Sequence, residues 1–249
     1  AVGILLATVY GIILYGTLVM LPLFLQDLMG YTALASGLAI TPRGLGALVS
    51  VTLAGRLVRK IDARIMIVAG FIIFALAGFF LGEVNLQISI TSIIWPNFFM
   101  GFAAGMLFVA LTTIAMGTLP NEMIGTATGL YNLMRGMGGS IGIAVVTTLL
   151  SRHSQLHQSL MLSHLTPYEP AFRESFQRLT ELFSTQCDPV TAMRKAYRST
   201  YDILVGQATL LAFIDNFRLL GFFSLVGVPL TLLFKKVALK RTIRSSIAE

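Results

Sequence analysis

The chain has 249 residues, of which 55% are hydrophobic and 12% charged, and its mean hydropathy is +0.81. A soluble domain carries about 25% charged residues, so this composition excludes a soluble domain and predicts an integral membrane protein. The net charge is +7, but the basic residues lie at the ends of apolar runs, where lipid headgroups act on them, so nucleic acid is not an expected partner.

Six apolar runs are long enough to cross a bilayer, whose hydrocarbon core of about 30 Å requires roughly 20 helical residues. They cover residues 2–25, 33–54, 65–81, 95–116, 124–150 and 206–234. The predicted fold class is therefore an all-α bundle of six membrane-spanning helices. Residues 1–150 hold the first five spans, 151–205 an amphipathic extracytoplasmic segment, 206–234 the sixth span, and 235–249 a basic cytoplasmic tail. The chain begins at Ala1 inside an apolar run, so we expect it to be a piece of a longer protein.

The distribution of lysine and arginine predicts the orientation of these spans. If both ends face the cytoplasm, the inner segments hold nine basic residues, four in 55–64 and five in the tail. The outer segments hold six, all between residues 151 and 205. Basic residues favour the cytoplasmic side, so we predict a multi-pass membrane protein with a cytoplasmic C-terminus.

Small residues recur at intervals of four in the fourth and fifth spans. The pairs are Gly101 with Gly105, Gly125 with Gly129, and Gly138 with Gly142. Such pairs let helix backbones approach closely in lipid. The pattern fits both static packing and helices that slide during a transport cycle.

The segment 151–205 is too polar to span but carries a helical pattern. Phe172, Phe176, Leu179 and Phe183 recur at helical spacing, and Asp188-Pro189 is a typical helix start. We expect short amphipathic helices whose apolar stripe either packs on the bundle or docks a partner.

Three arginines and one aspartate lie within the predicted spans, where a charge usually faces protein or a watery cavity. Arg43 and Arg135 have no local acidic neighbour, so each is a candidate for a cavity lining. Asp215 and Arg218 are three residues apart, so we expect either a local ion pair or a proton site at Asp215.

Two weaker patterns suggest chemistry. Gly138-Gly139-Ser140-Ile141-Gly142 matches the elbow of a serine nucleophile, but it lies in an apolar helix away from any histidine, which favours packing. His153 and His157 have the spacing of a metal pair, yet no carboxylate or cysteine stands beside them, so no metal is predicted.

A family resemblance rests on four stretches. Residues 55–64 resemble the cytoplasmic signature loop of the major facilitator superfamily, with Lys60 and Ala63 where a tighter match has arginine and glycine. Residues 41–46, 95–98 and 132–142 add to this match. The whole chain resembles the C-terminal half of a fourteen-span drug:proton antiporter of the EmrB/QacA type.

The resemblance implies an exporter of lipophilic, often cationic, drug-like compounds that works by alternating access. Its energy source would be the proton gradient, without a cofactor, and the main proton carboxylates would lie in an N-terminal half outside this chain. Implied partners are that half, the lipid bilayer, a periplasmic adaptor and an outer-membrane channel. The implied cavity residues are Arg43, Asn97, Phe98, Asn132 and Arg135. The implied latch at the signature loop comprises Gly55, Arg56, Asp62 and Arg64, with Asp62 meeting basic residues or a helix end.

Two other classes remain open at this point. One is a six-span membrane scaffold that transports nothing and uses its outer helices for interaction. The other is an intramembrane serine hydrolase built on Ser140.

Overall fold

A computed structural model describes residues 2–58, 60–86, 88–117, 120–162, 170–185 and 187–232. The helices are α1 (Val2–Leu23), α2 (Ala33–Leu57), α3 (Ala63–Leu81), α4 (Ile90–Met116), α5 (Asn121–Leu162), α6 (Pro170–Ser184) and α7 (Pro189–Leu232). All except α6 are long and apolar enough to cross a membrane, so the predicted all-α fold with six spans is confirmed. The predicted tail, 235–249, lies outside the described residues.

Short polar side chains cap the first turns of α2 and α4. Thr32 accepts a hydrogen bond from Ala35 N at the start of α2, and Ser89 accepts one from Thr91 N at the start of α4. Both satisfy main-chain N–H groups that have no partner within the helix. Gly30, with φ of 68°, makes the turn between α1 and α2, since other residues rarely adopt this backbone conformation.

The helices alternate in direction around a shared core. α2 runs beside α4, α1 runs beside α5, and α7 packs on α3, α5 and α1. The core contains fully buried aromatic rings, and Phe24 meets Phe213 edge to face with centroids 5.5 Å apart. We call the end that carries the loop 58–62 the basic end. The opposite end, with the turns 29–32 and 82–89, is the α6 end.

α5 and α7 are much longer than a bilayer requires. They contain 42 and 44 residues, which at 1.5 Å per residue gives roughly 65 Å each, about twice the hydrocarbon thickness. The predicted boundaries at 150 and 205 therefore fall inside continuous helices. Residues 190–205 contain no glycine or proline to end a helix there. The segment 151–205 thus comprises the end of α5, α6 and the start of α7, and only α6 is a short helix.

The three parts of this segment form a packed hairpin. The ring of Phe176 lies against that of Tyr197, with centroids 4.3 Å apart, and Lys195 lies over Phe183. Gln158 donates to the hydroxyl of Tyr201, which joins α5 to α7. Phe176 and Phe183 of the predicted apolar stripe therefore face α7. Asp188 begins α7 by accepting a hydrogen bond from Thr191 N at 3.1 Å, and its bonds to Thr191 lower the pKa of its carboxyl.

Two of the three predicted glycine pairs lie at close helix contacts. A methyl group at Gly101 would collide with the Arg43 carbonyl, and one at Gly105 would lie 2.7 Å from the Ala47 carbonyl oxygen. In the same way, Gly138 and Gly142 pack against the α1 backbone. For Gly125 and Gly129, no atom in the described ranges lies within 4 Å of such a methyl group. Close packing thus explains the pairs that join α4 to α2 and α5 to α1.

Candidate functional site

Arg43 is buried between α2 and α1. Its guanidinium donates to the hydroxyl of Thr17 at 2.8 Å and to the carbonyl of Leu14 at 3.2 Å, and the residue is only 6% exposed. The sequence showed no partner for Arg43. In the structure its acceptors are neutral groups on the neighbouring helix α1.

Asn97 joins α4 to α2 beside a proline. Its amide nitrogen donates to the carbonyls of Ala39 and Ile40 at 3.1 and 3.2 Å, and the residue is fully buried. Pro42 lies in the same turn of α2 and disturbs the helical hydrogen-bond ladder there, and Asn97 adds a donor to two carbonyls of that turn. Asn97, like Arg43, directs its polar atoms between helices rather than to the surface.

Arg135 differs from Arg43 because its head group is incompletely satisfied. The guanidinium lies 5.5 Å from the ring centroid of Phe108 on α4, a favourable cation–π distance. Its Nε is buried and makes no hydrogen bond to any described residue, and the same holds for the Tyr131 hydroxyl one turn earlier. This part of α5 therefore carries unused hydrogen-bonding capacity.

The other predicted cavity residues reach the surface. Asn132 is exposed, and Phe98 is half-buried with its ring 5.8 Å from that of Phe99. Arg135, Asn132 and Phe98 are thus accessible, whereas Arg43 and Asn97 lie behind them. Sequence reasoning missed Tyr10, a buried residue whose hydroxyl donates to the Ala104 carbonyl at 3.0 Å. A phenol in an apolar span was the available signal, because a buried hydroxyl requires a partner.

The signature-loop residues surround the start of α3. Asp62 accepts a hydrogen bond from Arg64 N at 3.1 Å and is the N-cap of α3. Of the two contacts implied for Asp62, the structure shows the one with a helix end. Arg56 and Gly55 are exposed, and Nη2 of Arg64 is buried without a hydrogen bond to the described part of the chain.

Asp215 and Arg218 do not form the predicted local ion pair. Arg218 binds Glu83 at 2.7 Å, in the turn after α3. Asp215 binds His157 of α5, with 2.7 Å between Oδ2 and Nε2, and lies 3.8 Å from Nδ1 of His153. The two side chains diverge because Arg218 faces α3 and Asp215 faces α5.

Arg218 and Asp215 also lie closer to one end of the bundle than to its middle. Arg218 packs on Gly82, which is the C-cap of α3, so it lies at the α6 end. Asp215 is one turn farther from the basic end. His153 and His157, which sequence reasoning placed outside the spanning helices, belong to α5 itself. The carboxylate of Asp215 lies beside both histidines, so the expectation that no carboxylate stands beside them was wrong.

The arrangement offers little to other chemistries. The Ser140 hydroxyl donates to the Gly136 carbonyl of its own helix, and the nearest described histidine on α5 is 13 residues away, roughly 20 Å along the axis. Within the described ranges, no group of three or more His, Cys, Asp or Glu residues has a geometry that could hold a metal ion.

Comparison with known proteins gives consistent matches. Residues 1–143 match the Major Facilitator Superfamily. The chain is 36% identical over 177 residues to the fatty acid resistance protein FarB of Neisseria gonorrhoeae. The aligned region covers 71% of this chain and 35% of FarB. It is 30% identical over 188 residues to the multidrug export protein EmrB of Escherichia coli K12. That alignment covers 74% of this chain and 36% of EmrB.

A third relative is the probable multidrug resistance protein EmrY of E. coli K12, 32% identical over 185 residues, or 74% of this chain and 36% of EmrY. The chain thus spans about a third of the length of these relatives, all named for export or resistance rather than catalysis. The family match covers more than half of the chain, and the six membrane-spanning helices agree with it. The chain therefore belongs to the Major Facilitator Superfamily of membrane transporters.

Proposed function

We propose that this chain is the C-terminal half of a proton-driven multidrug efflux transporter, which exports lipophilic or cationic compounds by alternating access. One observation in the structure carries the proposal: α2 and α5 are the least buried of the six described spanning helices. Only 28% of the most apolar stretch of α2 and 22% of that of α5 is buried, against 56% for α1 and for α4. A six-helix unit complete by itself would have less reason to leave these two helices so open.

The open sides of α2 and α5 are suited to a second set of helices. Gly37 and Gly44 on α2, and Gly125 and Gly129 on α5, are open enough that a methyl group at any of them would have no described neighbour within 4 Å. Glycine offers no advantage against lipid tails, whereas small residues allow close approach between helices. The proposed occupant is the N-terminal half of the transporter, since the relatives are about three times as long as the matched region.

The proposed cavity lies between the halves. Arg135, Asn132 and Phe98 supply a cation, an amide and a ring from α5 and α4, while Arg43 and Asn97 fix α2 behind them. Aromatic rings suit lipophilic compounds of varied shape. None of the proposed cavity residues is a carboxylate, so a cationic substrate would find its counter-charge on the other half.

A specific observation favours a second substrate class. Arg135 is a partly exposed cation with exposed apolar neighbours on α5, which suits a carboxylate attached to an alkyl chain. FarB is named for resistance to fatty acids. Anionic amphiphiles are therefore included in the proposal.

We place the protein in the bacterial inner membrane with its basic end and C-terminus in the cytoplasm. This orientation is supported by the exposed cations Arg56 and Lys60 at the basic end, since basic residues favour the cytoplasmic side, while the exposed Trp95 suits a membrane interface at the α6 end of α4. The hairpin of α5, α6 and α7 would then lie outside. It would offer a contact for a periplasmic adaptor, which in turn would lead to an outer-membrane channel.

The test measures export by the full-length transporter in a strain without its own pumps. A lipophilic cationic dye and a long-chain fatty acid are followed separately. Arg135→Ala should lower fatty acid export roughly tenfold, since a charged hydrogen bond is lost, and should change dye export less. The matched control is Arg152→Ala, which removes an exposed arginine from the same helix and should leave both rates unchanged.

Export of both compounds should stop when an uncoupler collapses the proton gradient. Export that continues would contradict the proton-driven mechanism. Unchanged rates in both Arg135→Ala and Arg43→Ala, at equal protein level, would remove these arginines from transport. This chain reconstituted alone should move neither compound, and robust transport by it would contradict the proposed half-transporter.

A further inference from the structure

α5 and α7 meet at the α6 end through two histidines and one carboxylate. His157 Nε2 lies 2.7 Å from Asp215 Oδ2, which is a hydrogen bond, and His153 Nδ1 lies 3.8 Å from the same oxygen. Nδ1 of His153 is buried and makes no hydrogen bond to the described residues. One carboxylate oxygen thus faces two ring nitrogens, only one of which it binds.

Other charges near this contact are directed elsewhere. On α7, Arg218 is held by Glu83, and on α5, Arg152 is exposed. At the end of α1, Asp27 is also exposed. Among the described ion pairs, those of Asp215 are only with the two histidines. The charge of the contact is therefore set by the histidines themselves.

The three side chains are also open to water. Asp215 is 41% exposed, His153 28% and His157 23%. Protons from the surrounding solution can therefore reach this contact without crossing the apolar core.

We propose that His153, His157 and Asp215 form a proton-binding clamp, which joins α5 to α7 more tightly when the solution at the α6 end is acidic. Histidine is the side chain whose charge ordinarily changes between pH 5 and 8. With both imidazoles neutral, the site has a charge of −1 and one N–H to Asp215. One added proton on a ring nitrogen makes the site neutral and turns the contact into an ion pair. A protonated His153 also becomes a donor at Nδ1, within a small shift of the carboxylate.

The sign of the effect follows from this pairing. An ion pair between the added proton's charge and the Asp215 carboxylate holds α5 to α7 more strongly than a neutral hydrogen bond, so the contact is tighter when an imidazole carries that proton. The clamp does not depend on substrate or on the direction of transport, so it goes beyond the proposed function. In a proton-rich outer compartment, it would hold the hairpin closed on the bundle.

The test compares hydrogen exchange of the full-length transporter in lipid nanodiscs at pH 5.5 and 8.0, corrected for intrinsic exchange rates. Protection of residues 151–162 should be about two- to fivefold greater at pH 5.5, as expected for a partly exposed ion pair. Asp215→Asn should abolish this difference. His157→Gln should reduce it, which provides a second reading if the aspartate variant does not fold.

The matched control is Asp202→Asn on the same helix. Asp202 pairs with Arg198 at 4.0 Å, and arginine stays charged throughout this range, so the control should keep the wild-type pH difference. Equal protection at both pH values in the wild type, or an unchanged difference in Asp215→Asn, would overturn the clamp. Neither reading requires export activity, so failure of the proposed function would leave this result intact.

Discussion

Arg43 shows how a single charge is accommodated inside the bundle. Its guanidinium has no carboxylate within ion-pair distance in the described chain and is held by a hydroxyl and a carbonyl of α1. A buried cation keeps its charge only if such acceptors remain in place. Thr17 also donates to the Ile13 carbonyl of its own helix, so its hydroxyl oxygen is oriented toward Arg43 in advance.

We predict that Thr17→Val destabilises the protein by about 1–3 kcal/mol, because the buried guanidinium loses its best acceptor. The measurement is thermal unfolding of the purified full-length protein in detergent. Thr52→Val is the control, since that exposed hydroxyl bonds only its own helix, and we expect a change within about 0.5 kcal/mol. Equal shifts in the two variants would mean that the Thr17 contact contributes nothing specific.

For single residues, the sequence predicted which charged side chains lie within the spans better than it predicted which groups they contact. The apolar surroundings of Arg43 and Arg135 made both candidates for a cavity lining, and in the structure Arg43 is buried between α2 and α1. The partners were not predictable, since Asp215 binds a histidine 58 residues earlier and Arg218 binds a glutamate 135 residues earlier. Spacing along one helix reports only local pairs, and here both side chains turn to other helices.

Among the elements, the contact between α2 and α4 depends on glycine. Gly101 lies against the Arg43 carbonyl, and Gly46 on α2 lies against the Phe98 carbonyl. Because both helices present glycine to the other's main chain, the backbones touch along this seam. The same seam carries Arg43 and Asn97, so the spacing of these helices also sets the geometry of the proposed cavity.

We therefore predict that Gly101→Ala lowers the unfolding temperature by several degrees and reduces export, because the added methyl group forces α2 away from α4. Gly206→Ala is the control. No described atom lies within 4 Å of a methyl group at residue 206, and alanine favours a helix by roughly 0.5–1 kcal/mol, so stability should stay equal or rise. A stable, active Gly101→Ala protein would show that the seam can open without cost.

The helix boundaries were the least predictable elements. Composition located the apolar parts of α5 and α7, but hydropathy falls at residue 151 while the helix continues to Leu162. A helix requires backbone hydrogen bonds and suitable residues, neither of which depends on lipid. Charged and polar residues such as those in 151–162 sustain a helix in water once it packs on a neighbour.

On the scale of the whole molecule, the two ends differ sharply in character. The basic end has short connections and exposed cations such as Arg56 and Lys60, whereas the α6 end carries the long hairpin. This asymmetry fits an orientation with the short connections in the cytoplasm. The same orientation places the histidine–aspartate contact on the outer side.

We predict that the basic end faces the cytoplasm and the hairpin faces outward. The test introduces single cysteines into a full-length protein in which Cys187 is replaced by serine. Lys60→Cys should react with a membrane-impermeant maleimide only after the cells are opened. Ser159→Cys, on the exposed end of α5, should react in cells whose outer membrane alone is permeable. The reverse pattern would invert the topology and place the hairpin in the cytoplasm.

The uninterrupted course of α7 has a mechanical consequence. No proline lies between Pro189 and Pro229, so an unbroken helix connects the hairpin to the contact with α3, where Gly227 packs on Phe71. Its two arms on either side of Asp215 are unequal, since Pro189 lies 26 residues before Asp215 and Leu232 lies 17 residues after it. A sideways push on the hairpin would then swing the opposite end by about two thirds of that distance, as an unequal lever does about its fulcrum.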